Sequence, residues 1–89
     1  MTVWQVAWTA TCSKSLSVLP EKVATAVIEF AYGPLVENPH RVGKPLRFEL
    51  EGLHAARRGD YRVIYEIDDA AQRIVVHVID HRSSAYRRR

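Results

Sequence analysis

The sequence predicts an α+β fold, a small antiparallel sheet of about four strands with two N-terminal helices on one face. Three observations predict it. Leu16, Leu19, Val23, Val27 and Ala31 recur at spacings of three and four, which is one face of a helix. Tyr61, Val63, Tyr65 and Ile67 then alternate with Arg62, Ile64 and Glu66, the period of a strand. A nearly continuous β-branched run follows at 74–79. Two helices over one face of a short sheet is the economical packing for these pieces. At 89 residues the chain is read as a single domain, 1–89.

The elements follow in order. Trp4, Val6 and Trp8 alternate within 3–8, giving a first strand. Thr9, Thr11 and Ser13 are N-cap candidates for a helix over about 12–19. Pro20 breaks the apolar stripe and is tolerated at a first helical position, so a second helix is expected over about 20–32. Gly33-Pro34 marks its end or a distorted last turn, and Asn38-Pro39 closes the helical half. Gly43, Pro45 and Gly52 make 40–52 an irregular connection with a short strand or helical turn near 46–50. Strands resume at Leu53, with a turn at 68–72. The run at 74–79, broken only by His77, is expected to be buried on both faces.

Composition excludes several classes. The single cysteine, Cys12, rules out an internal disulfide framework and a cysteine-based zinc site. No HxH or HExxH spacing joins the four histidines, and the isolated glycines form no phosphate loop. No apolar stretch approaches the roughly 20 residues of a spanning helix. The first residues lack a signal-peptide pattern, so the expectation is a cytoplasmic protein. So small a domain has room only for a surface site or a shallow groove.

The charge is uneven. Lys+Arg is 13 against Asp+Glu 10, a net +3. Segment 40–62 holds six basic residues (Arg41, Lys44, Arg47, Arg57, Arg58, Arg62) against Glu49, Glu51 and Asp60. The last ten residues hold Arg82, Arg87, Arg88 and Arg89 against Asp80 alone, a solubilising end that also steers anions. If Tyr61, Val63 and Tyr65 pack beneath helices, Arg62 faces the other way. It then serves an anionic ligand or pairs with Glu66 or Asp80. Only one of Arg57 and Arg58 can share its face. His40 and His77 read as exposed and half-buried side chains, and Cys12 has no evident activating base.

Lys44-Pro45-Leu46, Leu50-Glu51-Gly52-Leu53, the run Arg57-Arg58-Gly59-Asp60-Tyr61-Arg62-Val63-Ile64-Tyr65, and His81-Arg82 followed by Tyr86 resemble the RelE/ParE superfamily of bacterial toxins, and its RelE branch in particular. The likeness covers nearly the whole chain. It implies the fold above and the activity of a ribosome-dependent endoribonuclease that cuts mRNA. The 2′-hydroxyl attacks the adjacent phosphorus, leaving a 2′,3′-cyclic phosphate and a 5′-hydroxyl. That step needs a proton acceptor, positive charge on the transition state and a proton donor, and no metal or other cofactor. Arginine suits the middle role, since it stays charged and grips two phosphate oxygens.

Carried onto this chain, the resemblance makes Arg62 the central active-site arginine and Arg57 a second cation on the preceding strand. Arg82 matches the basic residue ending the last strand, and Tyr86 the tyrosine of proton transfer or base stacking. Lys44, Arg47 and Arg58 are expected to bind RNA phosphates. Family lysines two and four residues before Arg57 are replaced here by Ala55 and Leu53. The proton acceptor is then His81, His54, Tyr86 or Lys44. The implied partners are a RelB-like antitoxin, in a hetero-oligomeric complex, and the ribosome with its mRNA. Leu35, Val36 and the outer side of the second helix are candidate antitoxin surfaces, with core packing the alternative. A ParE-like gyrase poison and a catalytically weak antitoxin-binding module are the other functions this resemblance allows.

Overall fold

A computed structural model of the chain describes residues 4–47 and 51–81. The elements are β1 (Gln5–Trp8), α1 (Ala10–Val18), α2 (Glu21–Phe30), a π-helical turn (Ala31–Leu35), α3 (Pro39–Val42), β2 (Lys44–Pro45), β3 (Leu53–Arg58), β4 (Tyr61–Asp68) and β5 (Arg73–His81). The sheet has five strands in the order β1-β5-β4-β3-β2.

The helices begin where capping chemistry allows. Thr9 caps α1, its hydroxyl accepting from the Cys12 amide at 3.1 Å. The helix therefore starts at Ala10, two residues before the expected position. Pro20 stands just ahead of α2, and its carbonyl takes the first helical bond from the Ala24 amide at 3.0 Å. The helical path does not stop at Gly33-Pro34. It widens into the π-helical turn, where Pro34 has no amide to offer and would crowd the carbonyl a turn back in a regular helix. Widening keeps the path going far enough to bury Leu35 completely.

Two expectations about the sheet need correction. It is mixed: β2 to β5 form an antiparallel meander, but β1 pairs with β5 in parallel. The short connections of the meander leave one edge of β5 open. β1 fills it, seating Val6 and Trp8 beside Ile74 and Val76 on the helix side. Nor is β5 buried on both faces. Ile74, Val76 and Ile79 are buried under the helices, whereas Val78 on the far side is 41% exposed. Among the described residues the helices cover one face only, so a β-branched run need not mean a strand enclosed twice.

The core lies between that covered face and the helices. Val27, Phe30, Ala31 and Leu35 meet Ala56, Val63, Tyr65, Ile74, Val76 and Ile79 there. Each such aliphatic side chain contributes about 1.5–3 kcal/mol on leaving water. Tyr65 is fully buried, and its hydroxyl donates to the Pro39 carbonyl at 2.7 Å, tying β4 to α3. Gly43 lets the chain pass close by: a Cβ there would overlap the Tyr65 hydroxyl and press on the Ala55 carbonyl. At the β3–β4 turn, Gly59 takes a positive φ of 57°.

Burial pushes the Tyr65 phenol up to about 12 and the Cys12 thiol up to about 11. Unfolded, these groups ionise from an ordinary 10.0 and 9.0 respectively. The unfolded chain thus releases protons first as pH rises. The stability held by the neutral groups is complete below pH 9 and drains away toward 12. Tyr65→Phe leaves the Pro39 carbonyl without its donor and is expected to lower stability by about 1–3 kcal/mol at neutral pH. It is also expected to flatten the alkaline decline above pH 10. Urea titrations from pH 7 to 11 check both, and an unchanged midpoint at neutral pH would contradict the first.

Candidate nucleic-acid interface

The uncovered face is built by strand alternation. Side chains at 62, 64, 66 and 68 of β4 point away from the helices because 61, 63, 65 and 67 point toward them. Register extends this face across the sheet in rows. One row is Asp80, Arg62 and Arg57. The next is Val78, Ile64, Ala55 and Lys44. The third is Ala7, Val75, Glu66 and Leu53.

Arg57 and Arg62 stand directly opposite each other. Like charges in such a pair repel, so the arrangement weakens the ladder unless an anion joins it. Asp80 is that anion for Arg62, accepting from Nη2 at 3.0 Å, with the two side chains 45% and 32% exposed. Arg57 is exposed and has no ion-pair partner among the described residues. The row therefore carries two guanidiniums and one carboxylate. A phosphate seated between the arginines would satisfy both and release Asp80.

The other expected site residues divide. Lys44 joins this face, since its register partner is Ala55. Arg47 is exposed just beyond β2. Arg58 faces the helices, its guanidinium 4.7 Å from the centre of the Phe30 ring. It is one residue from Arg57, and alternation sends it to the opposite side. His81 has its backbone at the end of β5, paired with Tyr61. Arg82 and Tyr86 lie outside the described residues.

His54 is not at this site. Its register partner is Tyr65, and the two rings stack at 5.7 Å on the covered side. His40 approaches edge-on at 6.0 Å, while its own Nε2 bonds Asp69 at 2.8 Å. His54 Nδ1 is buried with no hydrogen-bond partner among the described residues. Burial, then the neighbouring His40, push its pKa down against a smaller pull from Asp69. This neutral ring supports folding above its ordinary 6.5, and that support is lost as pH falls. Two further expectations shift. Leu35 is fully buried core rather than a partner surface, and Val36 is half-buried against the same core. On the outer side of the helical layer, Ile28 and Tyr32 are exposed, with Tyr32 accepting from the Trp8 indole at 3.0 Å.

The sequence offers Glu66 as a partner for Arg62, but Asp80 takes that place and Glu66 meets His77, whose side of the sheet the sequence does not assign. Glu66 is in phase with Arg62 and Ile64. His77 Nε2 lies 3.1 Å from Glu66 Oε1 on the open face. That the ladder slips by one residue here had no marker in the sequence.

A family model for the ParE toxin of type II toxin–antitoxin systems (parDE) matches residues 6–86. The chain is 58% identical to Toxin RelE of Mycobacterium tuberculosis, over 94% of this chain and 87% of that one. It is 48% identical to Toxin RelG of the same organism, over 96% and 98%. Its fold is similar to that in the toxin–antitoxin complex RelBE2 from M. tuberculosis, with a TM-score of 0.89 and 47% identity over 93% of this chain and 95% of that chain. The isolated Escherichia coli RelE toxin shares the fold at a TM-score of 0.73 with 16% identity, covering 93% and 90%.

The exposure of the Arg62–Asp80 pair fixes its worth. Asp80→Asn is expected to change stability by less than about 1 kcal/mol in urea titrations. It is expected to tighten salt-sensitive retention on a polyanion column, because Arg62 is released. A loss of more than about 2 kcal/mol would make the pair structural instead.

Proposed function

The chain belongs to the RelE/ParE family of type II toxin–antitoxin toxins, in its RelE branch, and on that premise we propose that it is a ribosome-dependent endoribonuclease that cleaves translated mRNA and is restrained by a cognate antitoxin. The observation that carries this reading is the opposed Arg57–Arg62 pair on an uncovered sheet face. Two cations held in register on a rigid sheet fit a phosphodiester better than any neutral ligand.

The chemistry follows from that placement. A phosphate bridging Arg57 and Arg62 directs its non-bridging oxygens at the guanidiniums. As the 2′-oxygen bonds to phosphorus, negative charge grows on those oxygens, and the fixed cations stabilise it. The hydroxyl proton passes to a base. The bond from phosphorus to the 5′-oxygen breaks, and that oxygen takes a proton from an acid. Arginine holds its proton too tightly to accept or donate here. His81, Tyr86 and Lys44 are the proton carriers in this reading, with Arg82 adding charge. His54 drops out because its ring is on the other side of the sheet. Arg58 drops out for the same reason, and Arg47 and Lys44 extend the cationic edge toward the incoming strand.

The RelBE2 relative is a toxin–antitoxin complex. By analogy an antitoxin covers this chain, and an acidic side chain reaching Arg57 would compete with the substrate phosphate. Its place of action is wherever translating ribosomes are, the cytoplasm. A gyrase poison of the ParE kind is the competing reading, favoured only by the name of the family model.

A purified translation system tests the proposal. Added toxin is expected to shorten the mRNA and stop full-length product. Arg62→Ala is expected to cut about 10²–10³-fold more slowly while its stability stays within about 1 kcal/mol. Tyr86→Phe retaining activity that Tyr86→Ala loses would assign that residue to stacking. Intact mRNA with continued translation would overturn the nuclease reading.

A further inference from the structure

The open face carries a second polar feature that the cleavage step does not use. The β4–β5 ladder slips between Ile64 and Tyr65: Ile64 pairs with Val78 and Tyr65 with Val76. His77 is the extra residue of this bulge, a device that re-aims a side chain. Its carbonyl is held by the Thr9 hydroxyl at 3.3 Å, at the start of α1. Its ring turns to Glu66, 3.1 Å from Nε2 to Oε1, and the side chains are 35% and 50% exposed. A carboxylate only accepts, so Nε2 carries the hydrogen and Nδ1 points elsewhere.

Placement sets the pair apart from the arginine row. Glu66 is four residues from Arg62 along one strand, about 13 Å. Charge excludes the RNA backbone as the ligand, because Glu66 would repel a phosphate. Toward the arginine row the pair's surroundings are apolar: Leu53 and Val75 flank Glu66 in its row, and the 41%-exposed Val78 lies beyond it next to the buried Ile64, while on the other side stands the Asp68–Arg73 ion pair. Apolar surface next to a fixed hydrogen-bonding edge matches an unstacked nucleobase, which has apolar faces and a polar rim.

We propose that Glu66, oriented by His77 at the bulge, reads one nucleobase flanking the scissile phosphate and prefers bases with an amino group over uracil. The proposal rests on the nuclease reading and adds a specificity site to it. The Glu66 carboxylate accepts from the exocyclic amine of cytosine, adenine or guanine. Uracil presents carbonyl oxygens where those amines stand, and these meet the carboxylate as acceptor against acceptor. The His77 bond holds the carboxylate in place and is a positioning contact.

Mapping cut sites across many translated mRNAs tests this. In the wild type, uracil is expected to be depleted about tenfold at one fixed position beside the cut. Glu66→Gln offers a donor as well as an acceptor, and the depletion is expected to vanish while cutting continues. His77→Phe is expected to weaken it. Unchanged base frequencies in folded Glu66→Gln would overturn the proposal. So would loss of all cutting with the fold intact, which would place Glu66 in the reaction itself. If the wild type makes no cuts, the nuclease reading fails on its own. The subsite is then decided by titrating the chain with cytidine and uridine hexanucleotides and following the His77 ring by NMR. Shifts with the cytidine oligomer alone uphold it, and equal or absent shifts overturn it.

Discussion

Cover on one side of the sheet is the constraint from which the rest of this molecule follows. β4 feels it most, because it lies between β3 and β5 and pairs with both. Tyr61, Val63, Tyr65 and Ile67 fill the space under the helices, and the residues between them have only the open face. Tyr65 pins the register. Its hydroxyl reaches the Pro39 carbonyl, and Gly43 provides the room. A slip of one residue would put Arg62 and Glu66 into the core and expose Val63 and Tyr65. The burial that stabilises the fold thus also aims the charged side chains.

The open face is held short of electrostatic balance. Arg57 opposes Arg62 at a cost to the ladder, and Asp80 relieves only one of them. Both charges sit on strands rather than loops, so little reorganisation is needed when a phosphate arrives. Asp80 keeps Arg62 extended across β5 meanwhile. The exposed ion pair contributes little to stability, which makes it easy to exchange for a ligand. Next to this row the face turns apolar, and beyond that lie Glu66 and His77. The sequence of charged, apolar and polar rows resembles the layout of a nucleotide chain more than that of a single small molecule.

Much of this was legible in the chain itself. Alternation alone placed Arg62 outside and Tyr61, Val63 and Tyr65 inside, and it forced Arg57 and Arg58 apart. The two helices around Pro20 were readable from spacing and proline chemistry. Other features were not. Nothing local tells β1 to run parallel to β5, since that depends on an edge left open by residues some seventy positions away. The β-branched run at 74–79 looks the same whether a strand is covered once or twice. Lys44 reaches the site only because a two-residue strand pairs with Ala55. Periodicity cannot assign a face to a residue at a strand's start, so the sequence leaves His54 among the possible bases although its ring lies on the covered side. The bulge at His77 arises from the pairing of two strands and has no signature in either.

The measurement that bears most directly on the account is the mapping of mRNA 5′ ends after the chain is induced in a bacterial host, with translation running and with translation blocked. New ends at codon-spaced positions that disappear when ribosomes are stopped, and are absent with Arg62→Ala, are the expected result. Growth arrest with mRNA intact and DNA broken would contradict it and identify a poison of gyrase.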